Sequence, residues 1–310
     1  MQTTIKSAVG FSGVGLHSGA PARATIHPAS AEYGIWFRRT DADGADALIP
    51  AHWAASERAE LCTRLAGGGA SVSTVEHILA ALVGCGVHNA LIEVDGPEIP
   101  IMDGSALPFA RAIVAQGLRR LAAPVRAIEV LRPVEVRHGA ALARLEPAPA
   151  QAMGTLSIDF EIDFPDAAIG YQRKALTLSN GTFLRELSDC RTFCRRAEIE
   201  AMHARGLARG GSYTNAVVVD GDAVLSPGGL RRPDEAVRHK MLDALGDLAL
   251  AGAPILGRYK AVRAGHRMTG EVLRALFASP GAARMVTCRG EGARLLPGAG
   301  VHRGDLPIAA

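Results

Sequence analysis

Ser73-Thr74-Val75-Glu76-His77-Ile78-Leu79-Ala80-Ala81-Leu82-Val83, followed shortly by Ala90-Leu91-Ile92-Glu93-Val94, decides how the chain is to be read. Val75, Ile78, Leu79 and Leu82 recur at helical spacing and predict a helix from Thr74 to about Val83. The short apolar run from Ala90 to Val94 predicts a strand. Working outward, strand-like segments precede this pair at Ala22–His27 and Gly34–Arg39, separated by Gly, Pro and Ser turns. Glu98-Ile99-Pro100-Ile101-Met102 follows it, then a helix from Pro108 to Gln116. Composition breaks at Leu121-Ala122-Ala123-Pro124, after which Val125–Val130 reads as a strand. Further strands are expected near Thr155–Phe164, Ala216–Asp220 and Tyr259–Val262. Helices are expected near Ala197–Arg205, Asp234–Ala251 and Thr269–Phe277. Strand runs mixed with isolated helices, without regular βα alternation, imply an α+β fold. The break implies two domains, 1–123 and 124–310.

The 310 residues are 48% hydrophobic and 21% charged, enough for a sizeable core, and no stretch is low in complexity. A formal charge of +3 without a Lys/Arg block gives no footprint for nucleic acid. Met1-Gln2-Thr3-Thr4-Ile5-Lys6 lacks the basic-then-apolar pattern of a signal peptide. Ala244–Leu256 is interrupted by Asp247 and falls short of the roughly 20 apolar residues of a membrane span. The five cysteines are odd in number and widely spaced, and the pair Cys190/Cys194 has no second pair to complete a cysteine zinc site. A reduced, cytoplasmic setting is expected, and a monomer.

Two segments carry chemistry. Glu76 and His77 place a carboxylate beside an imidazole. Taken alone, Ser73-x-x-Glu76 also reads as a capping box and His77 as a polar-face histidine. Val237-Arg238-His239-Lys240-Met241-Leu242-Asp243-Ala244-Leu245-Gly246-Asp247-Leu248 reads as a helix with His239, Asp243 and Asp247 at four-residue intervals. Residues i and i+4 share a face, so His239 and Asp243 can reach one ion, although solvated His–Asp pairs of this spacing are common. Together the segments supply two histidines and one carboxylate, the three protein ligands of a catalytic zinc, with Glu76 left over as general base. The site then lies where the two halves meet. Gly265-His266, read as a turn, offers a second acid that Asp247 can orient, and Lys240 adds positive charge beside a ligand. Gly13-Val14-Gly15-Leu16-His17-Ser18-Gly19 lacks the Walker ending and the dinucleotide spacing, and reads as a glycine-rich turn near a site.

These stretches, with Glu98–Ser105, Arg191-Thr192-Phe193 and Gly210-Gly211-Ser212, resemble in order the bacterial UDP-3-O-acyl-N-acetylglucosamine deacetylase family, LpxC, of lipid A biosynthesis. The resemblance implies two α+β domains with the site between them. It implies Zn²⁺, with Fe²⁺ as a competitor in cells, on His77, His239 and Asp243, and Glu76 as base. His266 is then the cationic acid oriented by Asp247, and Thr192 hydrogen-bonds the oxyanion. The implied reaction hydrolyses the 2-acetamido group of UDP-3-O-acyl-N-acetylglucosamine and releases acetate.

The resemblance also implies a passage for the 3-O-acyl chain, built by an insert at about 192–216. Phe193, Ile199, Met202, Gly211, Ser212 and Ala216 would line it, small residues such as Gly210 making room for methylenes. Leu16 and Cys62 match positions at the mouth, Phe164 the uracil-stacking aromatic, and Arg263 a position where a lysine is frequent. Arg195 and Arg196 depart from the apolar side chains common in relatives, the segment Pro165-Asp166-Ala167 is short, and a phosphate-side lysine near Ala141 is missing. A different zinc amidase or peptidase is the first rival, and a non-catalytic zinc protein the second. The intact set Glu76, His77, His239 and Asp243 argues against the latter.

Overall fold

The computed structural model describes residues 1–42, 47–150 and 154–308. In the first half Ala90–Val94 is the middle strand of five. It runs antiparallel to Pro21–Pro28 and parallel to Ile35–Arg39, with Val9–Val14 and Leu48–Pro50 outside them. Ala90, Ile92 and Val94 are buried while Leu91 and Glu93 turn away, the period-2 pattern of a sheet with one face in the core. Thr3–Ile5 pairs antiparallel with Leu118–Arg120, tying the start of this half to its end. In the second half the long strand Ile255–Val262 pairs antiparallel with Ala141–Glu146. It runs parallel to Leu156–Asp163 over most of its length and parallel to Arg126–Val130 at its start.

Seven helices stand among the described residues: α1 (Glu76–Gly84), α2 (Leu107–Gln116), α3 (Thr182–Glu186), α4 (Arg196–Ala204), α5 (Glu235–Leu248), α6 (His266–Ala278) and α7 (Gly290–Arg294). The fold is α+β, as the pattern of runs implied. The insert region is a small βαβ unit in which Phe193–Arg195 and Val217–Asp220 lie parallel and α4 crosses between them. No helix among the described residues is long and apolar enough to cross a membrane.

The core is continuous from the first half to the second through α1 and α5, which pack on each other. That contact explains why α1 is apolar on more than the expected stripe. Ala80 and Ala81 are buried as completely as Ile78, Leu79 and Leu82, because α1 is covered on all sides. Two boundaries differ from expectation. α1 starts at Glu76, because Thr74 takes a positive φ of 58° and breaks the chain direction between Ser73, which ends a strand, and the helix. His266 is the first residue of α6, not part of a turn, since the extended Gly265 precedes it as N-cap. Glu98–Met102 forms no strand of its own and is held by isolated bridges from Ser73 to Glu98 and from Gly15 to Pro100.

Candidate metal centre

The site begins with the closeness of α1 to α5. A Cβ on Gly246 would stand 2.0 Å from the carbonyl oxygen of Glu76, so only glycine lets the two helices meet at this point. The meeting brings His77 of α1 against His239 and Asp243 of α5. His77 Nε2 lies 3.5 Å and His239 Nε2 3.2 Å from Asp243 Oδ1. Ligand atoms from all three residues lie within 4.8 Å of one another, and all three side chains are buried.

The hydrogen bonds of His239 decide what this means. Its Nδ1 lies 3.0 Å from the Cys190 carbonyl, which can only accept, so Nδ1 carries the proton. Burial pushes the ring down to about 3, the Asp243 charge opposing only in part, so the imidazole is neutral and Nε2 presents a lone pair. That lone pair faces Asp243 Oδ1, a buried oxygen with no hydrogen-bond donor among the described residues. Two facing lone pairs at this distance repel unless a cation lies between them. Donors held by zinc at about 2.0–2.1 Å in a tetrahedron lie about 3.3 Å apart, which the two observed separations match. The three residues therefore fit a divalent metal ion.

Around this triad stands a shell of charge. Glu76 is buried at the first position of α1 and its Oε2 accepts the Thr63 backbone N–H at 3.0 Å. Burial raises its carboxyl above the ordinary range, with His266 and His77 opposing. His266 Nδ1 is 2.9 Å from Asp247 Oδ2, and its Nε2 lies 3.9 Å from Glu76 Oε1 and 3.8 Å from Asp243 Oδ2. Burial alone would lower His266, but Asp247, Glu76 and Asp243 outweigh it and hold the ring up to about 9. Thr63 Oγ1 donates to the other oxygen of Asp247 at 2.5 Å. Lys240 is mostly buried and donates to Asp243 Oδ2 at 2.7 Å, so it is not a free surface lysine. Burial opposes ionisation of Asp243, yet the Lys240 ammonium and the His266 imidazolium hold its carboxyl well below the usual range.

The neighbouring segments are pinned by groups the sequence did not advertise. Ser73 forms no capping box, since α1 has no side-chain cap and Glu76 turns to Thr63 instead. Glu98 accepts from the backbone N–H groups of His17 and Ser18 and from the hydroxyls of Ser18 and Thr74, tying the glycine-rich turn to the start of α1. Burial lowers the pKa of His17, with Glu98 opposing and His266 adding a smaller lowering. His17 Nε2 is buried without a partner among the described residues. Arg191 and Glu235 form a buried forked ion pair, fixing the Cys190–Phe193 segment to the start of α5.

Beside the triad, Phe193 meets His239 edge-on with ring centres 6.3 Å apart, and Phe164 meets Phe193 at 5.3 Å. Thr192 is held by its N–H to the Gly104 carbonyl and by its own carbonyl to Val217 N–H. Cys62 lies close to Glu76, its thiol pushed up to about 12 by burial and by the Glu76 carboxylate. Leu16 is half-buried, and its carbonyl accepts Gly210 N–H. Ile199 is half-buried on α4, Met202 and Ala216 are buried, and Gly211 and Ser212 are exposed. One expectation is corrected here. A Cβ on Gly210 would stand 2.2 Å from the Gly15 carbonyl oxygen, so Gly210 makes room for backbone, not for methylenes. Arg263 pairs with Asp163 and has no ion-pair contact with the metal cluster. The two features that depart from relatives meet: Arg195 donates to Asp166, which also accepts Gly221 N–H.

The family described as LpxC, UDP-3-O-acyl N-acetylglycosamine deacetylase, matches residues 2–278. A relative from Phenylobacterium zucineum (strain HLK1) bears the name UDP-3-O-acyl-N-acetylglucosamine deacetylase and is 51% identical over 287 residues, 92% of this chain and 96% of its own length. Relatives of the same name from Anaeromyxobacter sp. (strain Fw109-5) and Shewanella sp. (strain W3-18-1) are 48% and 43% identical, each covering 92% of this chain and 91% and 92% of their own lengths.

Proposed function

The chain belongs to the UDP-3-O-acyl N-acetylglycosamine deacetylase family, and from that premise we propose that it is a zinc-dependent deacetylase of lipid A biosynthesis. It hydrolyses the 2-acetamido group of UDP-3-O-acyl-N-acetylglucosamine and releases acetate. It works in the cytoplasm as a monomer, its two domains dividing near Leu121–Pro124. The observation that carries the metal part of this reading is the neutral His239 Nε2 facing the donorless Asp243 Oδ1, with Glu76 unligated beside them.

His77, His239 and Asp243 would hold the ion, zinc or, in cells, iron(II). When bound, such an ion lowers the pKa of water towards about 7 and polarises a carbonyl. The protein's own groups do the rest. Glu76 takes a proton from the attacking water on Oε1, since Oε2 is committed to Thr63. A carboxyl raised by burial is better matched to that task near neutral pH than an ordinary one. His266 carries the proton for the departing nitrogen on Nε2, and Asp247 holds its other N–H. The amide C–N bond breaks, the hydroxyl stays on the acetyl carbon, and the protons end on the amine and bulk water. Thr192 donates to the carbonyl oxygen as negative charge builds there. Lys240 keeps Asp243 ionised as a ligand.

The Phe164–Phe193 pair offers aromatic faces to the uracil and the start of the acyl chain, and α4 with Ile199 and Met202 flanks the rest of that chain, Leu16 and Cys62 standing at the mouth. Gly211, Ser212 and Ala216 border it, and Arg263 gives charge towards the phosphates. Acetate release from the 3-O-acylated sugar nucleotide, compared with the unacylated one, tests this reading. Preferential turnover of the acylated compound, lost on chelation and restored by Zn²⁺, is expected. Equal turnover of both would contradict the acyl-recognition part, and chelator-resistant activity the metal part.

A further inference from the structure

A cavity of about 450 Å³ lies between the two halves and contains none of the residues of the metal centre. Its size falls in the roughly 300–1,000 Å³ range of small-molecule sites. One wall comes from the first half through Ile35 and Val83. The other comes from the second half through Leu245, Leu248, Ala249 and Ile255. At about 100° per residue, Leu245 and Leu248 point roughly opposite to His239 and Asp243 on α5. The cavity is therefore behind the helix whose front carries the ligands. Val83 belongs to the last turn of α1, the end remote from Glu76 and His77.

The polar groups of the wall say what can occupy it. Gln2 and Asn89 are committed to each other and to backbone: Asn89 Nδ2 donates to Gln2 Oε1, Gln2 Nε2 to the Pro124 carbonyl, and Asn89 Oδ1 accepts Gly34 N–H. His88 turns its Nδ1 to the Thr3 backbone N–H and hydroxyl. The charged lining residues, Glu32 and Arg126, are exposed and carry opposite signs, so the mouth favours neither cations nor anions. With its amides satisfied internally, the wall offers a ligand mainly aliphatic surface, and apolar cavities of this kind accept hydrocarbon more readily than water.

We propose that this cavity is a second binding site, for a neutral apolar small molecule, separate from the substrate site. The probe is N-phenyl-1-naphthylamine, uncharged and fluorescent in apolar surroundings, titrated into the full metal-loaded protein. Val83→Phe and Ala249→Trp fill the space from opposite walls, and their folding is checked by circular dichroism. Saturable binding to the unmodified protein, weakened at least tenfold in either folded variant, is expected. The Glu76→Gln protein should bind the probe as the unmodified protein does. Absence of saturable binding, or binding unchanged in both variants, overturns the proposal. Xenon-pressurised crystals of the unmodified protein read the same space without a substitution. Xenon between Val83 and Leu245 supports the site, and its absence there overturns it.

Discussion

Replacing Gly246 with alanine sets two effects against each other. Inside an exposed helix the change would stabilise by about 1 kcal/mol, because glycine is the poorer helix former. Here the added Cβ would stand 2.0 Å from the Glu76 carbonyl oxygen, 2.7 Å from its carbonyl carbon and 3.0 Å from its Cα. A carbon–oxygen contact needs about 3.3 Å, so α1 and α5 must part locally by about 1.3 Å. Overpacking of this kind costs about 1–3 kcal/mol, which equals or exceeds the propensity gain. The atoms displaced are the backbone of the proposed base and the turn that carries His77, and about 1 Å of misplacement can cost about 100-fold in rate. Gly246→Ala is therefore expected to lower stability by up to about 2 kcal/mol in urea unfolding and to lower kcat about 100-fold, with reduced zinc content. A variant that is more stable than the parent and turns over normally would refute the reasoning from helix contact.

Other expectations follow from the same geometry. Glu76→Gln should retain zinc by elemental analysis and lose about 10²–10⁴-fold in kcat, since the proposed base and not a proposed ligand is removed; near-parental rates would mean that another group takes the proton. Asp247→Asn removes the first of the carboxylates that hold His266 up to about 9, so the alkaline limb of kcat/KM should move towards neutral pH, and an unmoved limb would detach His266 from the rate. His88 is pushed from its ordinary 6.5 down to about 4, chiefly by burial, and its Nδ1 accepts the Thr3 N–H only when unprotonated. The unfolded chain therefore binds the extra proton between about pH 4 and 6.5, and stability should fall as pH drops through that window, by at most about 3 kcal/mol. His88→Gln should flatten this slope in urea unfolding at stepped pH, and an identical slope would place the acid sensitivity elsewhere.

The parts of the site legible in the sequence are those fixed by local periodicity. His239, Asp243 and Asp247 share a helix face by spacing alone, and they do converge on one centre. Glu76 and His77 were ambiguous because Ser73-x-x-Glu76 satisfies a local capping rule. Tertiary packing removes the capping reading, through a positive φ at Thr74 and the Thr63 N–H that takes up the carboxylate. Thr63 leaves no signal, since its partner Asp247 lies 184 residues away, and Glu98 and Gly246 stand inside the quoted stretches without any spacing that gives their contacts to His17, Ser18 and Glu76. Arg195 read as an unexplained cation among apolar positions, and only the folded chain shows Asp166 beside it. Among the strands, Tyr171–Leu178 has no clear apolar alternation to mark it, because it is an edge strand whose polar residues include Gln172, Arg173 and Lys174. Its hydrogen bonds are formed to a neighbour, and that neighbour is not encoded in the segment itself.

The central claim, that His77, His239 and Asp243 together hold one divalent ion, is tested most directly by metal stoichiometry. Zinc per chain is measured by elemental analysis on the purified protein and on folded Asp243→Ala after equal dialysis against a weak chelator. One tightly held zinc in the parent and a large loss in the variant are predicted, because the substitution removes the one carboxylate of the proposed ligand set and leaves two imidazoles. Equal zinc content in both proteins would contradict the account.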